Sequence, residues 1–161
     1  MDKKLKATIK YLIDDKNVPE MTPKKLQKML YYCYSWHLTL TAENETDEEI
    51  LSSRLFDAYF EAWAHGPVIP EVYSKYKKNK FSVIEKSEFD IDVKSVLNED
   101  EIDSINQVVE VYGDFNGNQL ESISHSEDPW ISARGDAKPL DICNNKIEDN
   151  IIYSFYSSKL V

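Results

Sequence analysis

Hydrophobic and polar positions alternate along most of this chain with the period of an α-helix. The longest such segment runs from Thr22 to Leu40, where apolar residues recur every three or four positions. Thr22 can accept a hydrogen bond from a free backbone N–H, and Pro23 suits the first helical position. The polar residues at the start of this segment fall off the apolar face: Lys24, Lys25, Gln27 and Lys28. We therefore expect a central helix that is exposed to solvent on one side at its start and surrounded by other elements over the rest of its length.

The same period predicts further helices on both sides of the central one. In chain order they cover residues 2–15, 47–51, 70–77, 98–112, 116–123 and 128–134, and a last helix carries the apolar residues from Ile147 to Leu160. Asn98 suits the beginning of its helix and Gly113 the end. Asn145 with Glu148 resembles a capping box at the start of the last helix.

A period of two marks residues 54–63, in which aromatic and small residues alternate with polar ones. This pattern predicts a strand that includes Phe56–Phe60 and ends at the turn His65-Gly66-Pro67. A second short strand is expected over Phe81–Glu85, whereas residues 89–93 fit a strand or a loop equally well. The predicted class is α+β, mainly α: one domain over residues 1–161, with helices around a central helix and a small antiparallel sheet.

Charge is distributed unevenly between the two halves of the 161-residue chain, whose net charge is −10. Residues 1–80 carry 13 Lys or Arg and 12 Asp or Glu, whereas residues 81–161 carry 6 and 17, a balance of −11. Such an acidic half repels nucleic acid and attracts basic protein surfaces, although a solvated acidic face that aids solubility explains it equally well. No apolar run approaches the roughly 20 residues of a membrane span. The charged N-terminus lacks a signal-peptide core, so we expect a cytoplasmic protein.

Signatures of catalysis and cofactor binding do not stand out. The sequence has no glycine-rich phosphate loop, no paired-histidine zinc helix and no Cys-x-x-Cys pair, so we expect no cofactor and no metal. Cys33 and Cys143 lie in apolar surroundings, which favours buried free thiols over a disulfide. The most polar candidate site joins Glu61, Trp63, His65 and Gly66-Pro67 with His125 and Trp130; these residues either line a pocket or make structural contacts.

Several motifs in fixed order resemble one known family. They are Lys25–Tyr32, Phe60–Trp63, Gly66–Val68 with Tyr73, Tyr112-Gly113, Leu120, Ser124-His125 and Pro129-Trp130. Together they resemble the Panacea family, the SocA-like antitoxin domains, which are also met as phage-associated GepA-type proteins. The order and spacing match from about Leu5 to Phe155. The most specific part is the block Glu61–Trp63 followed by Gly66–Val68.

The resemblance implies a mainly helical domain with a small sheet, encoded beside a toxin that it neutralises by protein–protein binding without catalysis. It implies a cognate toxin as partner, and one family member delivers its toxin to a cellular protease. The motif residues to which it assigns a partner-binding or structural role are Glu61, Trp63, His65, Gly66, Pro67, Tyr73, His125 and Trp130. No catalytic residue, nucleic acid partner or membrane partner is implied.

Two other classes of function stay open at this point. One is a phage or mobile-element accessory protein, or an adaptor, that binds a host factor such as a protease. The other is an enzyme built around Glu61, His65 and His125, which requires these side chains to converge within hydrogen-bond reach in an open cleft. The oligomeric state does not follow from the sequence.

Overall fold

The structure is a computed structural model that describes residues 1–160 and is mainly helical. Its α-helices in this range are α1 (Lys3–Lys10), α2 (Pro23–Thr41), α3 (Asp47–Ser52), α4 (Pro70–Tyr76), α5 (Val93–Val96), α6 (Glu99–Tyr112), α7 (Gly117–His125), α8 (Asp128–Arg134) and α9 (Asp149–Ser157). A π-helical turn, Tyr11–Asp15, extends α1, and a 3-10 turn, Lys77–Asn79, follows α4. Strands β1 (Glu61–Trp63) and β2 (Gly66–Val68) form an antiparallel hairpin. The predicted class, α+β and mainly α, is confirmed.

Helix α2 is the centre of the fold. The Thr22 hydroxyl accepts the Lys25 N–H at 3.3 Å, and Pro23 occupies the first helical position, as expected. Around α2 pack α1, α4, α6, α7, α9 and β2. Because neighbours cover most of α2, Tyr31, Tyr32 and Tyr34 are buried and Trp36 is partly buried. Tyr31 contacts both Phe60 and Tyr156 edge to face.

Most of the polar residues at the start of α2 are buried rather than exposed to solvent. The expectation is wrong for three of the four: Lys25, Gln27 and Lys28 are all buried. The Lys25 ammonium donates hydrogen bonds to the carbonyls of Pro19 and Gly113, at 2.5 and 2.7 Å. The Gln27 amide both donates to and accepts from the backbone of Ile69. These long side chains are buried because surrounding loops supply backbone partners for their polar ends.

The predicted strand over Phe56–Phe60 is wrong, since only Glu61–Trp63 of that run pairs with another strand. The period of two still describes burial, because Phe56 and Phe60 are buried whereas Asp57 and Tyr59 are exposed. Both phenylalanines pack against the ring of Tyr34, at 5.2 and 5.4 Å between centroids. Packing on a helix therefore produces the alternation without a partner strand.

Two smaller expectations also need correction, and one open alternative is decided. Residues 81–85 form no strand, and Phe81 is 91% exposed. Residues 89–92 are a loop and Val93 begins α5, so no strand forms here and the loop alternative holds for residues 89–92. Helix α9 begins at Asp149 without a side-chain cap, and Asn145 instead donates to the carbonyl of Ala133, at 3.0 Å. The expected buried free thiols are confirmed for Cys33 and Cys143.

Candidate functional site

The β1–β2 hairpin rests directly on α2. Its register pairs Glu61 with Val68 and Trp63 with Gly66. Gly66 has φ +107, and a Cβ at this position would lie 2.7 Å from Cε of Lys28. Glycine suits this position because of its positive φ, and any side chain here would have to displace the end of the Lys28 side chain. The sequence Gly66-Pro67 therefore fits the hairpin onto the central helix.

Lys28 lies beneath the hairpin and is 1% exposed. Its ammonium donates a hydrogen bond to the carbonyl of Pro67 at 3.2 Å. Burial lowers the pKa of Lys28 to about 7, and the negative charge of Glu121 partly opposes this effect. An ionisable amine that is half charged near neutral pH thus supports the hairpin from below.

Glu121, on α7, lies beside the turn of the hairpin. Its carboxylate is 2.8 Å from the Lys24 ammonium and 3.3 Å from Nδ1 of the exposed His65. Burial disfavours its charged form, but hydrogen bonds from Lys24 and His65 outweigh burial and lower the pKa of Glu121. An ionised carboxylate therefore links α2, α7 and the turn.

His125 and Trp130 hold α7 and α8 against the end of β1. Their rings stack at 4.0 Å between centroids and 17° between planes, and the Trp130 indole donates to the carbonyl of Trp63 at 2.9 Å. Burial lowers the pKa of His125, although Glu121 partly opposes this effect. Nε2 of His125 is buried without a hydrogen-bond partner in the described structure. A neutral imidazole packed on an indole fits these surroundings.

Trp63 connects the hairpin to α4. Its indole N–H donates to Glu61 at 2.9 Å, and its ring meets that of Tyr73 edge to face at 5.0 Å. Tyr73 is 45% exposed. One side of the hairpin therefore presents aromatic surface to solvent.

The structure places all the predicted site residues around this one hairpin: Glu61, Trp63, His65, Gly66, Pro67, Tyr73, His125 and Trp130. Glu61 contacts Trp63, His65 contacts Glu121 and His125 contacts Trp130, so each polar side chain has a separate partner. Among residues 1–160, no hydrogen bond joins Glu61, His65 and His125 to one another, and no group of three or more His, Cys, Asp or Glu is arranged to hold a metal ion.

A groove opens between the hairpin and the loop after α8. We call residues 136–144 the strap. The groove, of about 310 Å³, is lined by Trp63, Ala64, His65, Val68, Leu140, Asp141, Ile142, Cys143 and Asn144. Leu140 and Ile142 are 85% and 92% exposed. The sequence analysis did not identify Leu140 and Ile142, because two aliphatic residues on either side of Asp141 are too short a pattern to predict a binding surface. It also missed Lys28 and Glu121 as members of the hairpin site.

Arg134 holds the strap in place. It is 5% exposed, and its guanidinium donates to the carbonyls of Ala62, at 3.2 Å, and Asp141, at 3.1 Å, as well as to that of Lys138. Beyond the strap, Ala62 N–H donates to the carbonyl of Asn145 at 2.9 Å, so the chain also pairs with the free edge of β1. The strap is consequently fixed at both ends.

A family model described as "Antitoxin SocA-like, Panacea domain" matches residues 26–131 of the chain. The match includes most of α2, the hairpin, α7 and the start of α8, and with them all eight predicted site residues. The strap lies beyond it. No curated protein and no solved structure matches the chain. Across residues 1–160, every helix is too short or too polar to cross a membrane.

Proposed function

Because the chain belongs to the SocA-like antitoxin family with a Panacea domain, we propose that it neutralises a co-encoded toxin by direct protein–protein binding in the cytoplasm. The observation that carries this proposal is the family match over residues 26–131, about two thirds of the chain. The match contains the complete hairpin site, so the proposal does not depend on one isolated motif.

The charge of the molecule supports a protein partner with a basic surface. The second half carries the balance of −11, and its carboxylates include the exposed Glu99, Asp100 and Asp103 on α6. Exposed carboxylates repel the phosphates of nucleic acids and speed association with basic proteins.

We propose binding rather than catalysis for the hairpin site. Glu61 is engaged by an indole, His65 by a carboxylate and His125 by an aromatic stack. An acid–base pair needs two of these groups within reach of the same proton. The separate contacts instead favour a stable scaffold for a binding surface.

Growth of a bacterial host tests the proposal. The adjacent gene is expressed alone, together with this chain, and together with a version of this gene that carries an early stop codon. We expect the adjacent gene to arrest growth, the intact chain to restore it and the stop-codon control to fail, with both proteins purifying as one complex. A toxic neighbour that the intact chain neither binds nor counteracts would refute the antitoxin function and favour an accessory protein that binds a host factor.

A further inference from the structure

The groove beside the hairpin combines features that a protein-binding site needs. Its walls are mostly apolar, with Trp63 and Val68 on the hairpin side and Leu140 and Ile142 on the strap side. Singly exposed aliphatic residues are ordinary on protein surfaces. Leu140 and Ile142, by contrast, are both almost fully exposed, are separated by a single residue and line an open apolar groove. A contiguous exposed apolar surface of this kind is typical of interaction sites.

The strap is ordered by contacts that do not involve the side chains of Leu140 and Ile142. Arg134 binds three backbone carbonyls, two of them, those of Lys138 and Asp141, within the strap, and the Lys138 N–H donates to the Asp141 carboxylate at 2.9 Å. Leu140 and Ile142 therefore project from a backbone that is already fixed. A partner that covers them loses little free energy to ordering of this segment, which favours binding.

Charge selects the kind of partner. The groove lining contains one carboxylate, that of Asp141, and neither Lys nor Arg. Glu61, which accepts the Trp63 indole N–H, lies just behind the groove and adds a carboxylate. Glu121 lies behind His65, but the Lys24 ammonium at 2.8 Å offsets its charge, and the Arg134 guanidinium is buried beneath the strap. A basic residue beside the groove would be attracted, whereas the phosphates of a nucleic acid would be repelled.

We propose that this groove is the primary binding site for the toxin, and that it receives an apolar side chain of the toxin flanked by Lys or Arg. The inference rests on the proposed function and adds the surface and the chemistry of the partner. A second copy of this chain fits less well, because pairing through the strap would bring together two halves that each carry a balance of −11.

Single substitutions in the groove test the inference. Leu140→Asp and Ile142→Asp place a charge where the apolar side chain should bind, and Leu51→Asp is the matched control, since Leu51 is 64% exposed on α3 and does not line the groove. We expect each groove variant to raise the Kd for the product of the adjacent gene by about tenfold or more, as at a binding hot spot. The control should change it less than about twofold, and Leu140→Asp/Ile142→Asp should abolish growth rescue.

Two measurements keep the result interpretable. Thermal denaturation of all variants should match the unaltered chain, because Leu140 and Ile142 are exposed. Amide hydrogen exchange of the unaltered chain should slow in the strap and at residues 63–68 when the complex forms.

Full binding by both groove variants, or protection confined to other surfaces, would overturn the proposal that the groove binds the toxin and would leave the proposed antitoxin function intact. A dimer of the unaltered chain that Leu140→Asp dissociates would instead assign the groove to a second copy. Failure of the unaltered chain to bind or rescue would refute the proposed function itself.

Discussion

Lys28 shows what burial does to a single side chain in this protein. The ammonium is enclosed by the hairpin and keeps one hydrogen bond, to Pro67. Removing a positive charge from water disfavours the charged form, so the proton leaves at about pH 7 instead of near 10.5. The unfolded chain, in contrast, keeps this proton until the pH approaches 10.5. The two states therefore bind different numbers of protons between about pH 7 and pH 10.5.

This difference predicts how stability depends on pH. Below pH 7 Lys28 is charged in both states, and the folded state bears the full cost of its burial. As the pH rises from about 7 toward 10.5, the folded state has released the proton and the unfolded state has not, so the free energy of unfolding should rise. The contribution of Lys28 is at most about 1.4 kcal/mol per pH unit.

Urea unfolding at pH 6, 7, 8 and 9 measures this contribution. Lys28→Met keeps the length of the side chain without its charge and should flatten the rise with pH. The control is Lys78→Met, which removes an exposed lysine and should leave the slope as in the unaltered chain. A Lys28→Met protein with the full slope would show that other groups cause it.

At the scale of elements, the hairpin depends on close contact with α2. Its two strands have only three residues each, too few for independent stability. The contact is possible because residue 66 lacks a side chain. Gly135, after α8, also has a positive φ of +57, but a Cβ there would meet nothing within 4 Å. Both glycines thus have a positive φ, and they differ in crowding.

Alanine at each position separates these two effects. Gly135→Ala should cost about 1–3 kcal/mol from backbone strain alone. Gly66→Ala should cost about 1–3 kcal/mol more, because the new methyl group crowds the Lys28 side chain. Denaturant titration of both variants gives the comparison. Equal losses would mean that Lys28 moves aside freely and that the hairpin does not need this close approach.

At the scale of the whole molecule, the acidic surface should steer a basic partner toward the complex. The structure shows which carboxylates near the start of α6 can contribute to this steering. Glu101 is 3% exposed and bonded to the Lys4 ammonium at 2.7 Å and to the Asn98 N–H, so it belongs to the capping box of α6. Its neighbours Glu99, Asp100 and Asp103 are exposed. Of these four neighbouring carboxylates, Glu99, Asp100 and Asp103 face solvent and can act at a distance, whereas Glu101 does not.

Reversing charges should change the association rate more than the dissociation rate. Glu99→Lys/Asp100→Lys/Asp103→Lys adds six charges and moves the net charge from −10 to −4. Association with the toxin should slow, as it should at higher salt. The control Lys77→Glu/Lys78→Glu/Lys80→Glu moves the net charge to −16 and should speed association. Surface plasmon resonance measures both rates, and association rates independent of salt and of both triple variants would exclude steering.

The sequence by itself determined the mainly helical class, the central position of α2 and the family to which the chain belongs. Helical periods and caps such as Thr22 and Asn98 act over a few residues, so they appear directly in the order of amino acids. The motifs around Gly66 also indicated which residues surround one site, although not their contacts.

Only the tertiary structure decided which polar residues are buried and which apolar residues are exposed. Lys25, Gln27 and Lys28 lie inside because distant loops and the hairpin supply carbonyl acceptors, and Phe56–Phe60 lies outside the two-stranded sheet, with both phenylalanines packed on Tyr34 of α2. Leu140 and Ile142 lie outside because Arg134 holds the backbone of the strap. Each outcome depends on groups far apart in the chain, whose meeting no local pattern of residues specifies.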